Sequence, residues 1–199
     1  MKITKLEPQK NHASRYNLEI DDKFECGMDE ALITELDLYV SKEIVGSTLD
    51  KIRESDDYYK CLNKGFLLIS IRMNAENELK KKLIKHFSYQ TVNKVLIRLK
   101  ELNYVNDEVF VKNWVSTREG NRGMYLLKKE LLNKGIGKDL IESFFVNRSK
   151  ETELENAKRA ISRKRLEGLT KEEKYQKIGS FLSRRGFDYE TIKRAIDEG

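Results

Sequence analysis

The chain has 199 residues, of which 39% are hydrophobic and 36% charged, and its formal net charge is +6. Two scattered cysteines, no secretory signal and no apolar run near the ~18 residues of a membrane span exclude disulfide-rich and membrane-spanning classes and predict a cytoplasmic protein. A single proline together with abundant Leu, Lys and Glu predicts a mainly helical protein.

Charge is distributed unevenly along the chain. Residues 1–45 contain 6 Lys/Arg and 10 Asp/Glu, which leaves 33 and 23 for the remainder. The basic remainder has two interpretations, an anionic partner such as nucleic acid or an acidic protein groove, and a solubilising surface.

Residues 1–45 predict a small β-containing N-terminal module. Three short segments alternate between apolar and polar residues, and Asp21-Asp22 suits a hairpin turn between the last two. A fourth apolar segment, 33–40, fits either a strand or a short helix. The three segments are Ile3–Leu6, Tyr16–Ile20 and Lys23–Cys26. The acidity of this module argues against contact with DNA.

The first long helix is predicted to begin at Ser47, with Asp50 completing a capping box. Cys61 is expected to pack on this helix as a small hydrophobe. A stripe of apolar residues at spacings of three and four predicts its core-facing side. The stripe comprises Tyr59, Leu62, Phe66, Ile69 and Met73.

Three pairs of apolar residues, each five apart around a capping-competent residue, have the spacing of a hydrophobic staple. They are Phe87 and Val92 around Ser88, Ile136 and Ile141 around Gly137, and Phe187 and Ile192 around Asp188, separated by 49 and 51 residues. Such recurrence predicts three tandem three-helix (helix-turn-helix-like) repeats, at 46–103, 104–148 and 149–199. Each buries little alone, so we expect an elongated curved array that follows the module at 1–45.

The start of the second repeat is the clearest helix signal. Asn106 is a predicted N-cap, and Phe110 and Trp114 lie four apart on one apolar stripe. Gly135 is predicted to end the middle helix in the left-handed conformation, and His86 occupies the equivalent position in the first repeat as a C-terminal capping residue.

No catalytic constellation is recognisable. Two histidines and two cysteines lack metal-ligand spacing, and no glycine-rich phosphate loop is present, so we expect a protein that is not an enzyme and has no cofactor. Cations are the candidate binding residues, because they can contact phosphates or an acidic surface. The candidates are Lys81, Lys82, Lys85, Arg118, Arg122, Lys128, Lys129, Arg163, Lys164, Arg165, Arg184 and Arg185.

Three groups of residues, in a fixed order along the chain, form a recognisable pattern. The first group is residues 103–107 together with Phe110, Trp114 and Arg118. The residues of the following groups are Gly123, Leu127, Glu130-Leu131, Lys134-Gly135-Ile136, Leu182, Arg184-Arg185-Gly186-Phe187 and Ile192. This ordered set resembles the RecX family, the bacterial modulators of the recombinase RecA. Asn103 replaces the usual glycine, but Asn also tolerates the left-handed conformation.

The resemblance implies a protein that lies in the helical groove of the RecA–DNA filament, bridges neighbouring protomers and inhibits ATP hydrolysis and strand exchange. It implies a role in the control of recombination, DNA repair and the SOS response. We expect a monomer whose partner is the RecA nucleoprotein filament, with direct contact to single- or double-stranded DNA also possible.

Two other functions compete with this one. An autonomous helix-turn-helix-like DNA-binding protein would need recognition helices rich in Arg, Asn or Gln, which the third helices of the repeats are not. A purely structural adaptor would bind its partner without salt dependence.

Overall fold

The computed structural model describes residues 1–162, 164, 167–168 and 170–198. Within them, one antiparallel sheet precedes ten helices, which confirms the mainly helical class with a small β-containing N-terminal module. The strands are β1 (Ile3–Gln9), β2 (His12–Ile20) and β3 (Lys23–Asp29). The helices are α1 (Glu30–Glu35), α2 (Gly46–Ile71), α3 (Glu76–Leu83), α4 (Tyr89–Glu101), α5 (Asp107–Ser116), α6 (Met124–Asn133), α7 (Lys138–Val146), α8 (Lys150–Ser162), α9 (Lys171–Arg184) and α10 (Tyr189–Asp197).

The described residues form two compact units. The first comprises Met1–Arg72 and Leu79–Tyr104, and the second comprises Met73–Glu78 and Val105–Gly199. The second unit holds two separate apolar clusters, one built on α5, α6 and α7 and the other on α8, α9 and α10. The repeat boundaries derived from the sequence stay a prediction. Among the residues described, every helix is too short or too polar to cross a lipid bilayer.

The N-terminal sheet has the order β1-β2-β3 and shares a core with α2. Asp21 and Asp22 form the predicted hairpin turn and both have positive φ, 48° and 62°, as a type I′ turn requires. The fourth predicted segment begins as α1, which is capped by the Asp29 side chain.

A buried ion pair ties the sheet to α2. Asp56 on α2 is 2% exposed, accepts from Arg15 of β2 and lies 2.5 Å from Lys60. The guanidinium of Arg15 also lies 5.5 Å from the ring centroid of Tyr59. Because a charge buried among apolar residues needs a partner, this cluster fixes the orientation of α2 against the sheet.

Helix α2 corrects two predictions. It begins at Gly46, with the backbone of Val45 as its N-cap and no side-chain hydrogen bond, so the capping box assigned to Ser47 is wrong. It ends before Arg72, whose backbone is extended, and Met73 lies beyond it and is 41% exposed. Cys61 is fully buried, as predicted. Four stripe residues are only partly buried, because Cys61 and Gly65 occupy the buried face of α2 and Gly65 lies against Val95 and Leu99 of α4.

The three predicted staples mark real helix starts. Ser88, Gly137 and Asp188 are the N-caps of α4, α7 and α10. The apolar residue four positions after each cap is buried, namely Val92, Ile141 and Ile192. The sequence therefore located the starts of α4, α7 and α10 from local chemistry alone.

Three helices end in the left-handed conformation, at Asn103, Gly135 and Gly186, whose φ values are 58°, 85° and 81°. Each end has the six-residue backbone bond of a Schellman motif. These bonds run from Tyr104 N–H to Leu99 O, from Ile136 N–H to Leu131 O and from Phe187 N–H to Leu182 O. The prediction that His86 caps α3 in the same way is wrong. Phe87 N–H bonds to the carbonyl oxygen of Leu83, four residues earlier rather than five, and His86 does not have positive φ.

Candidate functional site

Trp114 lies at the centre of a cluster that includes Arg118 and Arg122, two of the predicted binding residues. Its ring stacks on Phe110 with centroids 5.5 Å apart, and its Nε1–H donates to Glu130 Oε2 over 3.0 Å. The guanidinium of Arg118 lies 3.5 Å from the Trp114 ring centroid, and Lys134 Nζ lies 5.0 Å from it. The predicted core position of Trp114 is therefore a partly buried one, with a polar edge that is satisfied.

Arg118 and Arg122 both have partners within the chain. Arg118 donates to Thr117 Oγ1 over 2.7 Å and to the carbonyl oxygen of Trp114 over 3.3 Å. Arg122 forms an ion pair with Glu130, the same carboxylate that receives the Trp114 hydrogen bond. Both arginines are partly buried, so any partner that recruits them must first displace these contacts.

The segment between α5 and α6, residues 117–123, contacts the turn between α9 and α10, residues 185–188. We call such a close contact between a turn and another segment of the chain a joint. Gly123 N–H donates to Arg185 O over 2.8 Å, and Arg185 Nη1 donates to Asn121 O over 2.7 Å. A Cβ on Gly123 would lie 2.3 Å from Gly186 O, and one on Gly186 would lie 2.5 Å from the Cβ of Leu126. Glycine is required on both sides, since the two backbones approach too closely for any side chain.

The same kind of joint occurs a second time in the second compact unit, between residues 73–78 and the turn between α6 and α7. Asn77 Nδ2 donates to Gly135 O over 2.6 Å, and a Cβ on Gly135 would lie 2.5 Å from the Cβ of Asn77. Lys134 Nζ lies 3.2 Å from Glu78. Gly135 and Gly186 therefore end their helices and also make close contact with an earlier segment of the chain.

At each joint a carboxylate caps the helix that begins there. Glu76 N–H of α3 donates to Asp107 Oδ1, and Met124 N–H of α6 donates to Glu153 Oε1, both over 2.8 Å. Burial raises the pKa of Glu153. Helix α9 instead has its own capping box, formed by Thr170 and Glu173. The two joints thus share glycine contacts and a carboxylate cap supplied by a later helix, α5 for α3 and α8 for α6.

The predicted cations differ in their surroundings. Arg163 and Arg165 lie outside the described residues. Several others have partners that hold them: Lys128 pairs with Glu142 over 2.6 Å, and Lys164 and Arg185 lie 4.1 Å and 4.5 Å from the ring centroid of Phe181. Lys82 is partly buried. Those that are exposed and lack an ion-pair partner among the described residues are Lys81, Lys85, Lys129 and Arg184.

No group of three or more His, Cys, Asp or Glu in the described part of the chain could hold a metal ion. Cys26 and Cys61 are buried thiols, and burial raises the pKa of each to about 11, which makes them unreactive as nucleophiles. The arrangement is suited to recognition of anions by exposed cations on a framework stiffened by the joints.

Comparisons with known proteins agree with this architecture. Residues 1–45 match the family model described as the regulatory protein RecX N-terminal domain, and residues 151–196 match the third three-helix domain of RecX. The chain is 36% identical to the regulatory protein RecX of Clostridioides difficile, over 98% of this chain and 94% of that one. It is 31% identical to that of Listeria monocytogenes serotype 4a, over 100% and 76% of the two chains.

Two solved structures share the fold. A crystal structure of regulatory protein RecX superposes with a TM-score of 0.76 over 98% of each chain, at 23% identity. That of RecX from Lactobacillus salivarius gives 0.64 over 72% of this chain and 96% of that chain, at 22% identity. At these identities the likeness concerns the fold alone.

Proposed function

Because the chain belongs to the RecX family of regulatory proteins, we propose that it binds the RecA–DNA filament and modulates, mostly by inhibition, its ATPase and recombinase activity. It acts in the cytoplasm as a monomer that is not an enzyme, in the control of recombination and DNA repair. Its partner is the nucleoprotein filament, and DNA phosphates within that filament are additional contacts.

The observation that supports this proposal is that some of the predicted cations contact other residues of the chain, whereas others are exposed. Lys81, Lys85, Lys129 and Arg184 are exposed and lack an ion-pair partner among the described residues. They can therefore bind a carboxylate or phosphate without breaking an internal contact. Arg118, Arg122 and Arg185 instead hold the framework, and their contribution to binding is indirect.

A rigid binding protein can inhibit ATP hydrolysis by the filament without catalysing any reaction itself. The joints at Gly135 and Gly186 limit the shapes that the second compact unit can adopt. A stiff ligand binds best to one geometry of a flexible filament and shifts the population towards it. If this geometry differs from the one that hydrolyses ATP, a preference of about 1.4 kcal/mol is enough to change the ratio of the two states tenfold.

A binding assay with two paired variants tests this assignment. Lys129→Glu with Arg184→Glu should weaken binding to RecA filaments on single-stranded DNA by about tenfold or more, since two attractive contacts become repulsive. Lys112→Glu with Lys193→Glu is the matched control, because these exposed lysines make the same change in net charge outside the candidate set. Equal losses in both pairs would show that only overall charge matters and that the assigned cations are wrong.

The same assay separates the alternative function. Binding to the filament should exceed binding to the same DNA without RecA, and both should weaken as salt rises. Tight, sequence-specific binding to duplex DNA in the absence of RecA would instead favour an autonomous DNA-binding protein.

A further inference from the structure

The first compact unit contains a groove of about 580 Å³ whose walls come from three parts of the chain. One wall is the end of β3 with α1, the second is the first half of α2, and the third is the start of α4. This volume lies within the usual range for sites that bind a ligand or a peptide side chain. The groove thus lies between the N-terminal module and helices α2 and α4.

The groove is negatively charged on a chain that is positive overall. Asp29, Glu35, Glu54 and Asp57 line it, against Lys51 and Lys94. Glu54 is only weakly neutralised, with Lys94 Nζ 4.0 Å away, and Glu35 and Asp57 have no ion-pair partner among the described residues. Nucleic acid would be repelled by this groove, which instead suits a positively charged partner.

The carboxylates are spread along the groove and do not converge on one point. Within the described residues no set of three could hold a metal ion, so the arrangement favours several separated positive charges over a single small cation. Tyr58 and Tyr59 form an edge-to-face pair on the same wall, with centroids 5.6 Å apart. Leu32 adds apolar surface. Aromatic and aliphatic surface between carboxylates suits the long stems and charged ends of Lys and Arg side chains.

We propose that this groove binds a basic segment of a partner protein, with Lys or Arg side chains placed between the carboxylates and against Tyr58. The occupant is an extended polycationic stretch of chain, chosen by its charge complementarity to the groove. This proposal goes beyond binding of the RecA filament by exposed cations, and either can fail without the other.

The test uses the full-length protein and a fluorescein-labelled octapeptide of alternating Arg and Ala, with fluorescence anisotropy as the measurement. Glu35→Gln with Asp57→Asn should weaken binding about 3- to 10-fold, the effect of losing two exposed ion pairs. Lys94→Gln should tighten it about twofold, because it frees Glu54. Glu155→Gln with Glu172→Gln is the control of equal charge change outside the groove, and it should leave affinity unchanged.

Tyr58→Leu separates a specific groove from a general electrostatic attraction. It keeps apolar volume and net charge but removes the aromatic ring, so it should weaken the Arg peptide about 2- to 5-fold. Circular dichroism of each variant confirms that it is folded. The proposal is overturned if the Arg peptide does not bind, if a Glu-Ala octapeptide binds equally well, or if the groove and control pairs lose the same affinity.

Discussion

Glycine-to-alanine substitutions at four positions measure the free energy of the joint between the α5–α6 segment and the α9–α10 turn. In Gly123→Ala the new Cβ would lie 2.3 Å from backbone, and overpacking of this kind costs about 1–3 kcal/mol. Gly186→Ala adds left-handed strain to a similar clash, so we expect a loss of roughly 2–5 kcal/mol. Urea unfolding followed by circular dichroism gives the free energy of unfolding for each variant.

Two other glycines provide matched controls. Gly168 has φ of +74°, and no atom of the described residues lies within 4 Å of the point where a Cβ would lie, so Gly168→Ala should cost only the strain, about 1–2 kcal/mol. Gly137, like Gly123, is an N-cap with negative φ and has open space around it, so Gly137→Ala should cost under about 1 kcal/mol. If Gly123→Ala is no more destabilising than Gly137→Ala, the close contact contributes nothing and the reasoning is refuted.

Substitutions at three further positions test other parts of the structure. Asp56→Ala leaves the guanidinium of Arg15 buried without its carboxylate and should cost about 3–5 kcal/mol in urea unfolding, and a loss below about 1 kcal/mol would contradict a structural role. Burial raises the pKa of Glu153, so the contribution of this carboxyl to folding stability falls as pH rises above its usual pKa. In Glu153→Gln, the decrease of the melting temperature with rising pH should therefore be smaller, as measured by thermal melts across pH. Glu153→Ala should instead destabilise by about 1–3 kcal/mol, because Met124 N–H loses its acceptor. Trp114→Ala removes a stacked ring and a hydrogen bond and should cost roughly 3–5 kcal/mol by the same unfolding assay, whereas an unchanged midpoint would show that the ring is dispensable.

The sequence predicted what local chemistry determines. The caps at Ser88, Asn106 and Asp188 and the left-handed end at Gly135 depend on residues within one turn of each other, so their spacing is visible in the chain. The start of α2 was missed because it depends on the backbone of Val45 and on no capping side chain.

The candidate site was less predictable, because its contacts join residues far apart in the chain. Arg118 and Arg122 beside a turn had the appearance of exposed binding residues, but their orientation depends on Trp114 and on Glu130 in the next helix. The cap from Glu153 to Met124 spans 29 residues, and no local pattern signals it. The recurrence of glycine before the second and third staples, at Gly135 and Gly186, was the one available sign that these turns do more than end a helix.

The rate of ATP hydrolysis by RecA on single-stranded DNA, measured with and without this protein, tests the proposed function most directly. The account predicts that the rate falls as the protein approaches equimolar with RecA, and that Lys129→Glu with Arg184→Glu restores much of it while Lys112→Glu with Lys193→Glu does not. An unchanged rate at equimolar or higher protein, with the protein folded, would contradict the account.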